Sequence, residues 1–433
     1  MSLPSKLLYN NKINSSYARN FNSVIQAQNT SNYGLGQTAI FNIPCMRNQV
    51  LSGADTLLSL KLRTRNGAVA NTLGWLPKGG IAHAIQRLRI FSGSQLLCDI
   101  DNYGNLVSML TAWQSSTEHV SGKLSVLQGC SGGRGLQVFG PAAIVANANN
   151  GDFDFCFPLL SILSLTDNYV PLYAMSGNGP LRLELQFVGG FPAFIGSTEA
   201  ITNHADGVNT VFSDCKLIAN FVELSDAAMA IVEQSTNGGP VQWVCQSYSN
   251  YVFNATLRNA TTQLSIPVPA KYNSLKALYM TMRRNPDGAD NALPDDCSKF
   301  LLSQYTTRIG SRVIPSEPPT TVPQFIAEMH RALGSASSRI DPASYTYAQV
   351  RTDAAVDIAN VVYSGCFAIG VETESYSSAP MGSVYQGLNT STDDIFIQPT
   401  FAAQAADVVV RFDLYASFDQ LITIMDGVVS VQY

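Results

Sequence analysis

Nucleophilic catalysis needs a base beside an exposed serine or cysteine, and bases are scarce in this chain. It has four histidines, His83, His119, His204 and His330, and none lies in a recognisable motif. No nucleophile elbow is present, because Gly129-Cys130-Ser131-Gly132-Gly133 lacks the strand-to-helix setting that would expose its serine. His330 stands near Glu328 on an expected helix, but the H-E-x-x-H spacing that puts two ligands on one face is missing, so it reads as a surface or interface histidine. Paired carboxylates occur at Asp99/Asp101, Asp152/Asp154, Glu372/Glu374 and Asp393/Asp394, and such pairs can serve a glycosidase or hold a hard cation. Asp99-Ile100-Asp101-Asn102-Tyr103-Gly104 begins like a calcium loop, yet Tyr103 takes the third ligand position and Leu110 stands where the closing glutamate should be. Asp101 is better explained as the cap of a helix starting near Asn105. No phosphate-binding loop or dinucleotide fingerprint occurs. The expectation is a chain with no catalytic, cofactor-binding or metal residues, no cofactor and no enzymatic activity.

The eight cysteines (Cys45, Cys98, Cys130, Cys156, Cys215, Cys245, Cys297, Cys366) are scattered singly, which predicts reduced and mostly buried thiols. The sequons Asn254-Ala255-Thr256 and Asn259-Ala260-Thr261 read as polar strand and turn residues. At 433 residues the chain exceeds the roughly 250 to 300 residues at which one core stops growing, so two domains are expected. Charged residues are only 13% of the total, about half the usual share, so much of the surface must be neutral or hidden in an oligomer. The net charge of -5 argues against bulk nucleic-acid binding by the folded body. The segment before the first acid, Asp55, is nonetheless basic, with Lys6, Lys12, Arg19 and Arg47. Residues 1–30 therefore read as an extended amino-terminal arm. No apolar run has the length of a membrane span and no secretory signal opens the sequence, so the product is expected to start out soluble and inside the cell.

The elements that would carry these residues are strands. Leu58, Leu60 and Leu62 alternate with Ser59, Lys61 and Arg63, as a half-buried strand requires. Leu181, Leu183, Leu185 and Phe187 alternate with Arg182, Glu184 and Gln186. Near the carboxyl end, Val408, Val410, Phe412, Leu414, Ala416 and Phe418 oppose Val409, Arg411, Asp413, Tyr415, Ser417 and Asp419. Asp426-Gly427 between apolar runs predicts a hairpin turn. Helices are expected at Asn105 to Ser115, with Leu106, Met109, Leu110 and Trp113 on one side, and at Pro323 to Leu333, with Phe325, Ile326, Met329 and Leu333 on a stripe before Gly334. A shorter one follows a Ser225-Asp226 cap through Met229 and Val232, and leads into the turn-rich Ser235 to Pro240 stretch.

Splitting the chain at that connector exposes a weak repeat. The hairpin Leu88 to Leu97 followed by the Trp113 helix is matched by the hairpin Tyr305 to Ile314 followed by the Phe325 helix. Long strands Leu181 to Phe187 and Cys215 to Leu224 are matched by Ile395 to Phe401 and Val408 to Phe418. Each helix is expected to close one end of its own sandwich. The order of these segments resembles the double jelly-roll major capsid proteins of non-tailed icosahedral viruses, of the polinton-like virus and virophage type. The segments that carry it are Cys98 to Tyr103, Phe221 to Asp226, Tyr305 to Pro315, Gly387 to Thr392 and Ile422 to Val431.

The resemblance implies an all-β chain of two tandem eight-stranded jelly-roll β-sandwiches with a few short helices, the rolls at 31–224 and 241–433 and a linker at 225–240. It further implies a structural major capsid protein, found in the virion and made and assembled inside the host cell. A homotrimer would form a pseudo-hexameric capsomer. Its partners would be neighbouring capsomers, penton and minor capsid proteins and an internal membrane where the shell encloses one, with no sequence-specific nucleic acid. Two alternatives compete, a minor capsid or spike protein and a tandem β-sandwich carbohydrate-binding protein. The internal repeat weighs against the first, and the dispersal of Trp75, Trp113 and Trp243 against the second.

Overall fold

A computed structural model describes residues 18–64, 74–132, 135–139, 152–190, 196–197, 210–236, 238–284, 295–335, 343–351, 365–374, 387–425 and 427–433. The first half contributes eight principal strands: β1 (Ala18–Gln26), β2 (Thr38–Ile43), β3 (Gln49–Thr64), β4 (Ile85–Ser92), β5 (Gln95–Asp101), β6 (Asp152–Pro158), β7 (Leu181–Phe187) and β8 (Thr210–Leu224). They form two antiparallel sheets, ordered β1-β8-β3-β6 and β2-β7-β4-β5. The second half contributes β9 (Val241–Leu257), β10 (Ile266–Val268), β11 (Leu275–Arg284), β12 (Leu302–Ile309), β13 (Arg312–Ile314), β14 (Ala368–Glu372), β15 (Ile395–Phe401) and β16 (Val408–Met425), closed by an edge strand β17 (Val428–Gln432). Its sheets are β9-β16-β11-β14 and, with β10 on β15, β10-β15-β12-β13. Numbered by position within each half, both read 1-8-3-6 against 2-7-4-5. That is one eight-stranded jelly roll, present twice.

Side-chain period explains the strands. On β7, Leu181, Leu183, Leu185 and Phe187 are all buried, whereas Arg182 and Gln186 are half-buried on the other face. On β3, Leu58, Leu60 and Leu62 enter the core while Lys61 and Arg63 pair across the ladder with Asp154 and Asp152. The hairpins β4–β5 and β12–β13 turn on Gly93 and Gly310, whose φ angles of 58° and 56° lie in the left-handed region that favours glycine. The β16–β17 hairpin turns at Gly427 with Met425 opposite Val428.

Helices α1 (Tyr103–Gln114) and α3 (Val322–Ala332) each follow the fifth strand of their roll, the same place in the order of elements, but α1 packs on β4 and α3 on β14 and β11. Thr321 and Gln324 form a capping box at α3, with proline in its first turn. The expected cap at Asp101 is a misreading: α1 begins at Tyr103, its N-cap is Asn102 in a left-handed conformation, and Asp101 Oδ1 instead accepts from the Asn102 amide at 2.9 Å and from Gln86 Nε2 at 3.2 Å. Helix α2 (Asp226–Ser235) occupies most of the 225–240 connector, capped by Ser225, whose hydroxyl accepts from Ala228 N. Of the segment read as an arm, residues 18–26 are strand β1, paired with β8 from Ala18 opposite Leu224 to Gln26 opposite Lys216. Residues 1–17 lie outside the described residues.

Candidate functional site at the seam between the rolls

The face of β16 that sequence alternation turns outward is buried. Asp413 and Tyr415 are 0% exposed and Ser417 is 1%, as deeply placed as the core residues Phe412 and Leu414. The corresponding last strand of the first roll, β8, keeps its alternation apart from one irregularity at residues 213–216, with Phe212, Cys215, Leu217, Ala219 and Phe221 buried and the residues between them half-buried or exposed. The reason is that the outer face of β9-β16-β11-β14 packs against the first roll. One apolar cluster runs across the contact, joining Leu97, Tyr103 and Trp113 to Trp243, Tyr248, Tyr279 and Ile422, while a second core fills the inside of the second roll.

Polar groups fix the register of this seam. Asn102 Nδ2 donates to Asn250 Oδ1 at 2.8 Å, and Tyr415 Oη donates to the Asn102 carbonyl at 3.1 Å. Gln420 Nε2 donates to Leu97 O at 2.6 Å and Trp113 Nε1 to Cys366 O at 3.1 Å. The Lys78 amide donates to Asp295 Oδ2 at 2.7 Å, and its buried ammonium donates to the carbonyl of Gly365. Burial opposes the charge on Lys78, but attraction from the carboxylates of Asp295 and Asp296 holds its pKa above the ordinary lysine value. Trp113 therefore reaches out of its own roll: its indole lies 4.5 Å from the Tyr345 ring and 5.4 Å from the His330 ring, centroid to centroid. Helix α1 bridges the two rolls instead of closing one end of the first.

Asp413 is the electrostatic centre. It accepts from Arg283 Nε at 2.7 Å and Arg411 Nε at 2.9 Å. With its amide turned so that both atoms find partners, Asn105 accepts from Arg283 Nη1 and Nη2 at 2.9 and 2.7 Å and donates to His83 Nε2 at 3.3 Å. His83 Nδ1 then donates to Ser108 Oγ at 3.3 Å, so the ring is neutral, and burial pushes its pKa down to about 4. Helix α1 approaches so closely here that a Cβ at Gly104 would collide with the backbone of His83.

Among the described residues, the remaining groups with chemical potential meet at no open reaction centre. Asp99 is held by Arg87 at 2.7 and 2.5 Å, Asp152 by Arg63, Asp154 by Lys61, Glu374 by Lys276 at 3.1 Å and Asp394 by Lys271 at 2.9 Å. These carboxylates are ladder and loop partners of basic side chains. His119 sits in a short exposed helical turn, His204 lies outside the described residues, and His330 contacts Tyr345 Oη at 2.6 Å and Ser335 Oγ at 2.9 Å. Among the described residues no group of three or more His, Cys, Asp or Glu could hold a metal ion. All eight cysteines are free thiols and six are buried. Burial pushes Cys130 and Cys297 up to about 12 and Cys366 to about 11, which keeps them protonated and unreactive. The Gly129 to Gly133 stretch accordingly carries a buried thiol next to Lys78, whose carbonyl accepts from the Ser131 amide at 3.4 Å. What this constellation can do is mechanical: it joins two sandwiches into one body.

No protein-family profile and no curated protein sequence matches the chain. Solved structures do. VP54 of the virus PBCV-1, as fitted into a reconstruction of the virophage Sputnik, aligns over 98% of this chain and 99% of its own with a TM-score of 0.61 and 12% identity. The Faustovirus major capsid protein aligns over 96% and 92%, with a TM-score of 0.61 and 10% identity. The mavirus major capsid protein aligns over 100% and 96%, with a TM-score of 0.52 and 12% identity. The likeness runs from end to end through both rolls and the seam, and the chain has the double jelly-roll fold of these capsid proteins.

Proposed function

We propose that the chain is the major coat protein of a non-tailed icosahedral virus, three copies of which form a capsomer with a six-sided outline that tiles the shell. The observation that carries this is the repeated 1-8-3-6 against 2-7-4-5 strand order, with both copies locked by a buried seam into one rigid unit. Two like walls per chain give six like walls per trimer, so one capsomer shape can meet six neighbours. The solved structures of this fold are coat proteins along nearly their whole length, and the low charged content suits a subunit surrounded by others. Its partners on this reading are two further copies of itself, adjacent capsomers, and the penton and minor proteins that complete a shell. The role is structural, not enzymatic. Negative-stain microscopy with native mass spectrometry tests it: particles three times the 46.6 kDa chain mass with a hexagonal outline are expected, and a persistent monomer at micromolar concentration would sink the reading.

A further inference from the structure

Helix α2 has ten residues and buries one side chain, Met229. A helix of that length is marginal in water by itself, so its stability depends on what lies against its other faces. Asp226, Met229, Ala230 and Glu233 stand at i, i+3, i+4 and i+7 and so share one face. That face, Glu223 and the loop 46–49 line a groove of about 540 Å³. Its walls are tied together: the Leu224 amide donates to Asn48 O at 2.8 Å, and Asn48 Nδ2 donates to Asp226 Oδ1 at 3.0 Å. Met46, 55% exposed, and Met229 give it apolar surface. Three carboxylates, Glu223, Asp226 and Glu233, stand against one guanidinium, Arg47, so the groove is negative. Glu233 also lies near the carboxyl end of α2, where the helix dipole favours a cation and the last turn has no basic residue.

The strand pairing aims the start of the chain at this groove. Strand β1 runs antiparallel to β8 with Ala18 opposite Leu224, so the chain preceding Ala18 continues past Leu224 towards Ser225 and Asp226. Arg19 faces Glu223, which puts the entering chain one strand spacing, about 4.8 Å, from a residue of the groove. Lys12 precedes Ala18 by six residues, an extended reach of about 20 Å, whereas α2 is about 15 Å long. Lys12 can therefore reach Glu233, and so short a tether keeps it at high effective concentration there.

We propose that residues 12–17 of the same chain occupy this groove, with Lys12 at Glu233 and the apolar Ile13 and Tyr17 against Met46 and Met229. Seated there, the segment holds the connector between the rolls onto the first roll and supplies the cation that the carboxyl end of α2 lacks. The inference concerns a single chain and stands independently of the capsomer reading.

Carbodiimide cross-linking of the full-length protein, prepared from equal amounts of light and heavy-nitrogen chains, tests it. The reagent activates a carboxylate for amide formation with a lysine amine and departs as its urea. Peptide mass spectrometry should find residue 12 joined to residue 233 within light chains and within heavy chains, not between them. E233K, a change at an exposed position, should leave the circular dichroism spectrum unchanged, abolish the link and speed tryptic cleavage after Lys12 about fivefold. The swapped pair K12E/E233K should restore the link with amine and carboxylate exchanged. Links found only between light and heavy chains would overturn the assignment to the same chain and name a neighbouring copy's segment as the occupant. No link from residue 12 to any carboxylate of the groove, with tryptic cleavage the same in E233K as in wild type, would overturn the groove as its seat.

Discussion

Replacing Asp413 by asparagine keeps the side-chain shape and removes the charge that Arg283 and Arg411 share. Were Asp413 on a solvent face, as its place in the β16 alternation suggests, the change would shift stability by no more than about 0.5 kcal/mol. It is instead fully buried, and its partners retain only 14% and 25% side-chain exposure. Breaking a buried ion pair by removing one partner typically costs about 3–5 kcal/mol. Because the Arg411 side chain keeps some contact with water, the lower end applies, about 3 kcal/mol, or roughly a hundredfold in the folding equilibrium. Urea unfolding of D413N and wild type at one fixed protein concentration measures this, since subunit association contributes to apparent stability. A difference below about 1 kcal/mol would refute the argument that the two rolls enclose this charge. An R283M/D413L variant adds a control, because replacing the pair by apolar groups of similar volume should recover much of the loss.

Four other outcomes are expected. Trp113→Ala should cost about 3–5 kcal/mol, since it empties the space between Tyr345 and His330 and leaves the Cys366 carbonyl without its donor; Phe325→Ala should cost a similar amount, both read by denaturant midpoint. His83 is neutral when folded, with its pKa near 4 against 6.5 when unfolded, so its contribution is intact above about pH 6.5 and falls away as the pH drops towards 4, by about 3 kcal/mol in all; His83→Gln should flatten the pH dependence of stability in that window. Removing residues 1–17, which precede β1, should leave the trimer folded but lower the yield of closed shells seen by microscopy. Treatment with EDTA should leave the melting temperature unchanged, because no closed ligand set exists among the described residues.

Much of the architecture was legible because strand period is local. The leucines of β3 and β7 and the glycines of the two hairpins announce themselves within a few residues. The repeat was legible as an order of elements, although few residues recur. The seam was not. Arg411, Asp413, Tyr415 and Ser417 form a polar stripe, and a polar stripe has the same appearance whether it meets water or a buried arginine. Lys78 sits in a Pro-Lys-Gly-Gly stretch that looks like an ordinary turn, and its acceptor at Gly365 is 287 residues away in sequence. A weak signal existed in Asn102-Tyr103-Gly104, where a helix opens with a glycine and without a conventional cap; that economy reflects the close approach of α1 to the His83 backbone. The reading of Asp101 as a cap failed because local rules favour the nearest acid and cannot see Gln86 across the hairpin.

In both rolls the strand that enters the fold lies beside the strand that leaves it, Ala18 facing Leu224 and Val241 facing Ile424. Neighbouring strands lie about 4.8 Å apart, so each roll has its entrance and exit at one corner. A unit built in this way can be strung end to end with a connector as short as α2, without rethreading any strand. It can also be cut open at a loop and rejoined through its old ends with the sandwich intact. A first roll cut from the chain as residues 18–224, opened at the Gly93 turn and joined from Leu224 back to Ala18, should therefore keep its strand order, with its new free ends beside β5 instead of at the connector.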